Sequence, residues 1–119
     1  MPVRTVHVVI DATDVDSLRD FWVAAVGVEP HGESGQYRSA VPPVGESGPK
    51  FVFQQVDEPR PTGKNRLHLD IEVGDAMESE AERLVALGAS RLTDVIEEAG
   101  TAWIVMADPE GNEFCLVHH

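Results

Sequence analysis

The sequence has 119 residues, with 21 acidic and 9 basic side chains and a formal charge of −12 at pH 7. Such an acidic surface repels phosphate backbones and anionic membranes, which excludes nucleic acids and membranes as expected partners. No apolar run approaches the roughly 20 residues that span a bilayer, and we recognise no signal peptide at the N-terminus. Because the single Cys115 cannot form an internal disulfide, we expect a cytoplasmic protein.

The first half of the chain predicts a strand, a helix and two further strands. Residues 3–10 are rich in β-branched side chains, which favour a strand. Asp14 then offers an N-cap, apolar residues recur at helical spacing, and Gly27 ends the helix. The apolar helix face consists of Leu18, Phe21, Trp22, Ala25 and Val26. Strand-like segments follow at residues 36–41 and 50–56.

The second half predicts a similar series of elements. Residues 67–71 form an apolar strand, Asp75 offers a helix N-cap, and Gly88 ends the helix. The apolar helix face consists of Met77, Ala81, Leu84 and Val85. Strand-like segments follow near residues 90–93, 101–107 and 113–117. The segment DPEGN between the last two of these suits a tight turn, because it contains Asp, Pro and Gly.

The two halves also align with each other. Residues 6–30 and 67–91 align without a gap, so that His7 falls on His68. Each copy contains a short apolar strand with one histidine, then an aspartate, an amphipathic helix and a glycine. Matched positions in two copies of one unit suggest that the two histidines belong to a shared site.

The repeat predicts two βαβββ modules within one domain of residues 1–119. Modules of about 60 residues are marginal on their own, so we expect them to share one core. A segment that contains Pro and Gly separates them, which blocks regular structure there. The predicted bounds are about 1–58 for module one, about 57–64 for the linker and about 65–119 for module two.

Strand alternation places four polar side chains on the sides of the sheets that face away from the helices. Side chains alternate across a strand, and we expect the fully apolar faces to pack on the helices. The other faces then carry His7, Gln54, His68 and Glu113. Two imidazoles and a carboxylate are suitable ligands for a divalent transition metal, with a glutamine oxygen as a weak fourth. Since a single strand histidine is more often a polar residue satisfied by its neighbours, the spacing alone leaves both interpretations open.

Two segments carry a resemblance to a known family. KNRLHLD, which contains His68, and DPEGNEFC, which contains Glu113, resemble segments of the glyoxalase/bleomycin-resistance/dioxygenase group, the vicinal oxygen chelate superfamily. With the repeated unit and the helix exits AVGVEP and ALGASR, the chain is most similar to the small glyoxalase-like branch of that group. The resemblance implies an α+β fold in which two paired βαβββ modules form an open barrel-like mixed sheet with a concave cleft and the helices outside.

The resemblance also implies a site and a reaction. In that family a divalent metal ion, which here would be Zn, Ni, Mn or Fe(II), lies between the modules. Carried over to this sequence, its ligands are His7, His68 and Glu113, and Gln54 occupies the remaining position. The expected activity is that of a lyase or isomerase acting on a small molecule with vicinal oxygens, with Glu113 or Asp70 as the base. A homodimer is the assembly that the resemblance implies.

Two other functions remain open on the sequence. A metal-free protein that binds or sequesters a drug, as bleomycin-resistance proteins do, would use the same cleft, with aromatic side chains such as Trp103 lining it. An extradiol-type dioxygenase would use His7, His68 and Glu113 as a two-histidine, one-carboxylate set for Fe(II). Cys115 is predicted to be a small buried residue.

Overall fold

The computed structural model describes residues 6–63 and 65–119, and the contacts within this part of the chain divide it into two compact units. The first unit ends at Arg60 and the second begins at Pro61. Residues 3–5 of the first predicted strand and Lys64 of the predicted linker lie outside the described residues. The prediction that both modules form one domain stays a prediction.

In the described residues of the first unit, one helix packs on a four-stranded mixed sheet. The elements are β1 (His7–Ala12), α1 (Val15–Val26), β2 (Glu29–Ser34), β3 (Tyr37–Val41) and β4 (Lys50–Gln55). The strand order is β1-β4-β3-β2. Strand β1 is parallel to β4, and the other neighbours are antiparallel. The first and last strands of the unit are therefore direct neighbours. Because they run parallel, a long connection has to join them.

In the described residues of the second unit, the same arrangement recurs with one more strand. The elements are β5 (Leu69–Glu72), α2 (Met77–Ala86), β6 (Ser90–Arg91), β7 (Ile96–Glu98), β8 (Thr101–Ala107) and β9 (Glu113–His118). The strand order is β5-β9-β8-β6, and β7 also pairs with β8. Strand β5 is parallel to β9. Both units confirm the predicted α+β class. Across the described residues, no helix is long and apolar enough to cross a bilayer.

Helix α1 forms where the sequence predicts it, and its apolar face is the core of the first unit. Asp14 accepts a hydrogen bond from the backbone N–H of Ser17 at 3.1 Å, and Gly27, with φ 78°, ends the helix. The side chains buried in this core include Leu18, Phe21, Trp22, Phe51 and Phe53. Trp22 stacks on Phe51 with a centroid distance of 5.9 Å. Such aromatic contacts anchor the helix to the sheet through a large apolar area.

A buried arginine joins α1 to β2 and β3. Arg19 is 9% exposed, and its guanidinium donates to the backbone carbonyls of Gly32 at 3.3 Å and Ser39 at 3.5 Å. It also pairs with Glu33 at 2.8 Å. Among the described residues, the Arg19 Nε has no hydrogen-bond partner. The sequence pattern did not predict β2, because Pro30 and Gly32 interrupt any strand-like alternation.

Helix α2 and the strand before it differ from the prediction at three positions. Asp75 is not the N-cap, because a turn in which the Ala76 N–H donates to the Val73 carbonyl makes Ala76 the cap. Val85 is 47% exposed, so it lies outside the buried face. That face consists of Met77, Ala81 and Leu84. Leu67 is 88% exposed, because β5 begins only at Leu69.

A buried carboxylate holds the turn between β8 and β9. Asp108 is 3% exposed and accepts hydrogen bonds from the backbone N–H groups of Glu110 and Asn112, both at 2.9 Å. The side-chain amide of Asn112 donates to the two Asp108 oxygens at 3.2 and 3.0 Å. This turn leads directly into the paired strands, where Ala107 lies opposite Glu113.

An exposed ion pair connects α2 to β6. The Arg91 guanidinium donates to both carboxylate oxygens of Glu78, at 2.6 and 3.1 Å. This hydrogen bonding lowers the pKa of Glu78 below its ordinary value of 4.5 and raises the pKa of Arg91. A carboxyl whose pKa is lowered by folding stabilises the protein above its unfolded pKa. That stabilisation is lost as the pH falls through the lowered pKa.

Replacing Asp108 should destabilise the second unit. Asp108→Ala leaves the N–H groups of Glu110 and Asn112 without their buried acceptor, so we expect the free energy of unfolding to fall by about 2–3 kcal/mol. Urea denaturation measures the loss. Asp94→Ala, at an exposed aspartate of the same unit, is the control and should change stability by less than about 0.5 kcal/mol. Equal losses in the two variants would show that the turn does not depend on the Asp108 carboxylate.

Replacing Glu78 should change stability only where its carboxyl is ionised. Near neutral pH, Glu78→Gln removes the ion pair with Arg91 and should lower the melting temperature slightly. Well below the lowered pKa the wild-type carboxyl is protonated as well, so the two melting temperatures should converge. Thermal denaturation across the acid range tests this, with Glu97→Gln on the exposed strand β7 as control. A gap between wild type and Glu78→Gln that persists at low pH would contradict the assignment.

Candidate functional site

In the first unit, the register of β1 with β4 assigns each side chain to one face of the sheet. Val8 pairs with Phe51 and Ile10 with Phe53, and both phenylalanines are buried in the α1 core. The opposite face, which we call the helix-free face of the first unit, carries His7 opposite Lys50, Val9 opposite Val52, and Asp11 opposite Gln54. The predicted ligands His7 and Gln54 therefore share a face, but they are not cross-strand neighbours.

In the second unit, the register of β5 with β9 makes the same division. Leu69 pairs with Phe114 and Ile71 with Leu116, and Phe114 and Leu116 are buried. On the helix-free face of the second unit, Asp70 lies opposite Cys115 and Glu72 opposite Val117. The same alternation assigns to this face His68, which precedes Asp70 in the sequence, and Glu113, which precedes Cys115. This pairing brings residues that are far apart in sequence onto neighbouring strands.

Three side chains on the helix-free face of the second unit lie close together. The Nε2 atom of His68 is 3.2 Å from Oδ1 of Asp70. One ligand atom from each of His68, Asp70 and Cys115 lies within 4.8 Å of the other two. The side chains of His68 and Asp70 are 44% and 50% exposed, and Cys115 is partly buried. The group combines an imidazole, a carboxylate and a thiol, which are the side-chain types that bind transition metals.

Alternation along β9 puts Glu113 on the same face as this group, but within the described residues Glu113 does not belong to it. It is the first residue of β9, and its Oε1 accepts a hydrogen bond from the backbone N–H of Asn65 at 3.3 Å. That bond attaches the carboxylate to the segment that leads to His68. For His7 and Gln54, which lie in the other unit, a part in a metal site stays a prediction.

Cys115 is the residue of this group that the sequence did not identify as a candidate site residue. Alternation along β9 places Cys115 on the same face as Glu113, and this much can be read from the sequence. The missing information was the register of the parallel pair, which sets Cys115 directly opposite Asp70. Register between strands distant in sequence depends on the whole sheet, so a local pattern does not reveal it.

Several solved structures share this fold. An enzyme of the glyoxalase/bleomycin resistance protein/dioxygenase family from Burkholderia phytofirmans PsJN aligns with a TM-score of 0.78 and 18% identity, over 94% of this chain and 95% of that chain. The fosfomycin resistance protein FosX from Mesorhizobium loti aligns with a TM-score of 0.74 and 12% identity, over 100% of this chain and 94% of that chain. At these identities the likeness shows the fold.

A third structural relative, a member of the glyoxalase/bleomycin resistance protein/dioxygenase superfamily from Sphaerobacter thermophilus DSM 20745, aligns with a TM-score of 0.72 and 20% identity, over 98% of each chain. The comparison with curated proteins gave no match. The model of the glyoxalase-like domain family matches residues 7–117, which run from the start of β1 almost to the end of β9. The chain therefore belongs to the glyoxalase-like domain family.

Proposed function

We propose that this protein is a divalent-metal-dependent lyase or isomerase that acts on a small molecule with two vicinal oxygens. The observation that carries the proposal is the contact of the His68 imidazole with the Asp70 carboxylate on the helix-free face of the second unit, the face to which alternation along β9 also assigns Glu113. An imidazole with a carboxylate at hydrogen-bond distance is the usual arrangement of a metal-binding histidine.

The donor chemistry of these residues fits a divalent transition metal. His68 and Glu113 would hold the ion in the second unit, and His7 and Gln54 are the ligands that the family resemblance assigns to the first. Imidazole and carboxylate donors suit Zn, Ni, Mn and Fe(II). When bound, the cation supplies a Lewis acid that stabilises negative charge on neighbouring substrate oxygens.

In this proposal Asp70 positions His68 and Glu113 moves the proton. A hydrogen bond from the His68 Nε2 to Asp70 at 3.2 Å would fix the ring and its tautomer, leaving Nδ1 as the donor atom. The Asn65 N–H holds the Glu113 carboxylate in place. A carboxylate held in this way can take a proton from a substrate carbon or oxygen that binds within about 3 Å.

The proposal includes the setting in which the protein works. We place it in the cytoplasm, which its lone cysteine favours. A homodimer is the assembly that the family resemblance implies. Its strongly acidic composition, with a formal charge of −12, favours a small-molecule ligand over a nucleic acid.

One observation favours the alternative of a metal-free ligand-binding protein. On the helix-free face of the first unit, Val9 is 55% exposed and Tyr37, whose β4 partner is Gln54, is 43% exposed. Exposed apolar and aromatic side chains on one face can hold an organic ligand without a metal. Trp22 takes no part in such a surface, because it is 1% exposed in the core.

Removing His68 should remove the metal. Loss of a hydrogen-bond partner of a metal ligand lowers metal affinity roughly 10- to 100-fold. For His68→Ala, which removes a ligand itself, we expect a larger fall in the affinity for a divalent ion. Metal analysis after reconstitution with Fe(II), Mn(II), Ni(II) or Zn(II) and removal of excess ion gives the bound amount. His31→Ala, at an exposed histidine of β2, is the matched control and should keep its metal. A wild-type protein that binds none of the four ions would overturn the proposal and favour the metal-free alternative.

A further inference from the structure

We propose that His68, Asp70 and Cys115 form a thiolate-containing metal site that lies entirely within the second unit. We call these three residues the thiol tripod. The tripod shares His68 with the function proposed above, but it binds the metal through Nε2 in place of Nδ1, and it requires neither Glu113 nor any residue of the first unit. It therefore goes beyond that function and can be correct where that function is wrong.

The distances within the thiol tripod are close to those of a metal centre. With zinc–nitrogen distances of about 2.0–2.1 Å and zinc–sulfur distances of about 2.3 Å, ligands of a tetrahedral ion lie about 3.3–3.8 Å apart. The contact of His68 with Asp70, at 3.2 Å, is already within about 0.1 Å of that spacing. All three ligand atoms lie within 4.8 Å of one another, so the widest pair must approach by roughly 1 Å.

The surroundings of the thiol tripod allow this adjustment in its two exposed side chains. Cys115 is held in the middle of β9 between Phe114 and Leu116, which are 1% and 0% exposed. Asp70 lies in β5, directly opposite Cys115. His68 comes before β5 begins, and its side chain is 44% exposed. The Asp70 side chain is also half exposed, at 50%, so rotation of these two side chains can close the tripod without moving the sheet.

The pairing of a carboxylate with a thiol, at Asp70 and Cys115, is specific to the second unit. The first and last strands of each unit pair in the same register, so Asp70 and Cys115 correspond to Val9 and Val52 of the first unit. The fold thus accepts an apolar pair at this position. A carboxylate opposite a thiol is not needed for the sheet, and we attribute it to ligand binding.

The donor set also indicates the class of metal. A thiolate is a soft ligand that selects zinc-like ions over Mg²⁺, Ca²⁺ and Mn²⁺. A thiolate and a carboxylate together neutralise the charge of a divalent ion, and the imidazole supplies a neutral third donor. Three protein ligands leave one further position on a tetrahedral ion, so the tripod would also accept a small ligand from solution.

Cobalt(II) tests the thiol tripod directly, because a cobalt–thiolate bond gives a charge-transfer band in the near ultraviolet. We expect the metal-free wild-type protein to develop this band on addition of Co(II), and Cys115→Ser to lose it. Asp70→Asn replaces a charged ligand with a neutral amide oxygen, so it should keep the band with an affinity reduced by more than the roughly 10- to 100-fold that loss of an outer hydrogen-bond partner costs. Because Cys115 is the single cysteine of the sequence, the band has one origin.

Two further variants separate the thiol tripod from the proposed function. His7→Ala and Glu113→Gln each remove a ligand of the proposed catalytic metal, and both should keep the cobalt–thiolate band. The absence of the band in wild type, or its loss in His7→Ala, would overturn the tripod. A band that is present in both variants, in a protein without metal-dependent activity, would overturn the proposed function and leave the tripod standing.

A measurement on the wild-type protein alone covers the case in which Cys115→Ser fails to fold. Zinc bound to the thiolate should slow the reaction of Cys115 with a thiol reagent at least about 10-fold, whereas Mg²⁺, which avoids soft ligands, should not. Circular dichroism checks that the fold is unchanged by either ion. Equal reaction rates with and without Zn(II) would overturn the thiol tripod.

Discussion

Parallel pairing of the first and last strands in each unit determines which side chains meet on the helix-free faces. In a parallel pair the two strands are joined by a long connection, so their contact is set by the sheet and not by a turn. A shift of one residue would move each side chain of a strand to the other face. In the second unit this register places Asp70 opposite Cys115, and the chemistry that we propose depends on it.

The sequence predicted the elements whose information is local. Helix α1 begins at the Asp14 cap and ends at Gly27 as predicted, because both signals act within one turn of the helix. The DPEGN turn forms between β8 and β9 for the same reason, with Asp108 as the acceptor of its N–H groups. Strand alternation also separated the buried face, with Phe53 and Leu116, from the helix-free face.

The features that the sequence did not predict depend on strand pairing or on turn geometry that no single residue signals. Strand β2 has no strand-like pattern of its own, and it forms because β3 pairs with it. Asp75 lost the N-cap position to Ala76 through a turn that begins at Val73. The closeness of Cys115 to His68 needed the β5–β9 register. Strand pairing outweighed a local preference for β2 and for Cys115, whereas at Asp75 one local turn outweighed another local signal.

The two units repeat a fold without repeating its chemistry. Their first and last strands pair in the same register, so the place that Glu113 holds in the second unit is held in the first by Lys50, the partner of His7. Gln54 lies opposite Asp11, further along the strand. The internal repeat therefore predicts the architecture well, whereas the donor groups have to be examined one unit at a time.

The buried Arg19 has a consequence for how this chain can diverge. Two of its hydrogen bonds go to backbone carbonyls, those of Gly32 and Ser39, and every amino acid supplies such an acceptor. Apart from Glu33, whose carboxylate pairs with Arg19, the side chains of β2 are thus free to change during evolution as long as the backbone path is kept. The helix position that supplies the guanidinium has no such freedom, because a shorter or uncharged side chain would leave buried carbonyls unsatisfied. Related sequences should therefore vary along β2 outside Glu33 and retain arginine in α1.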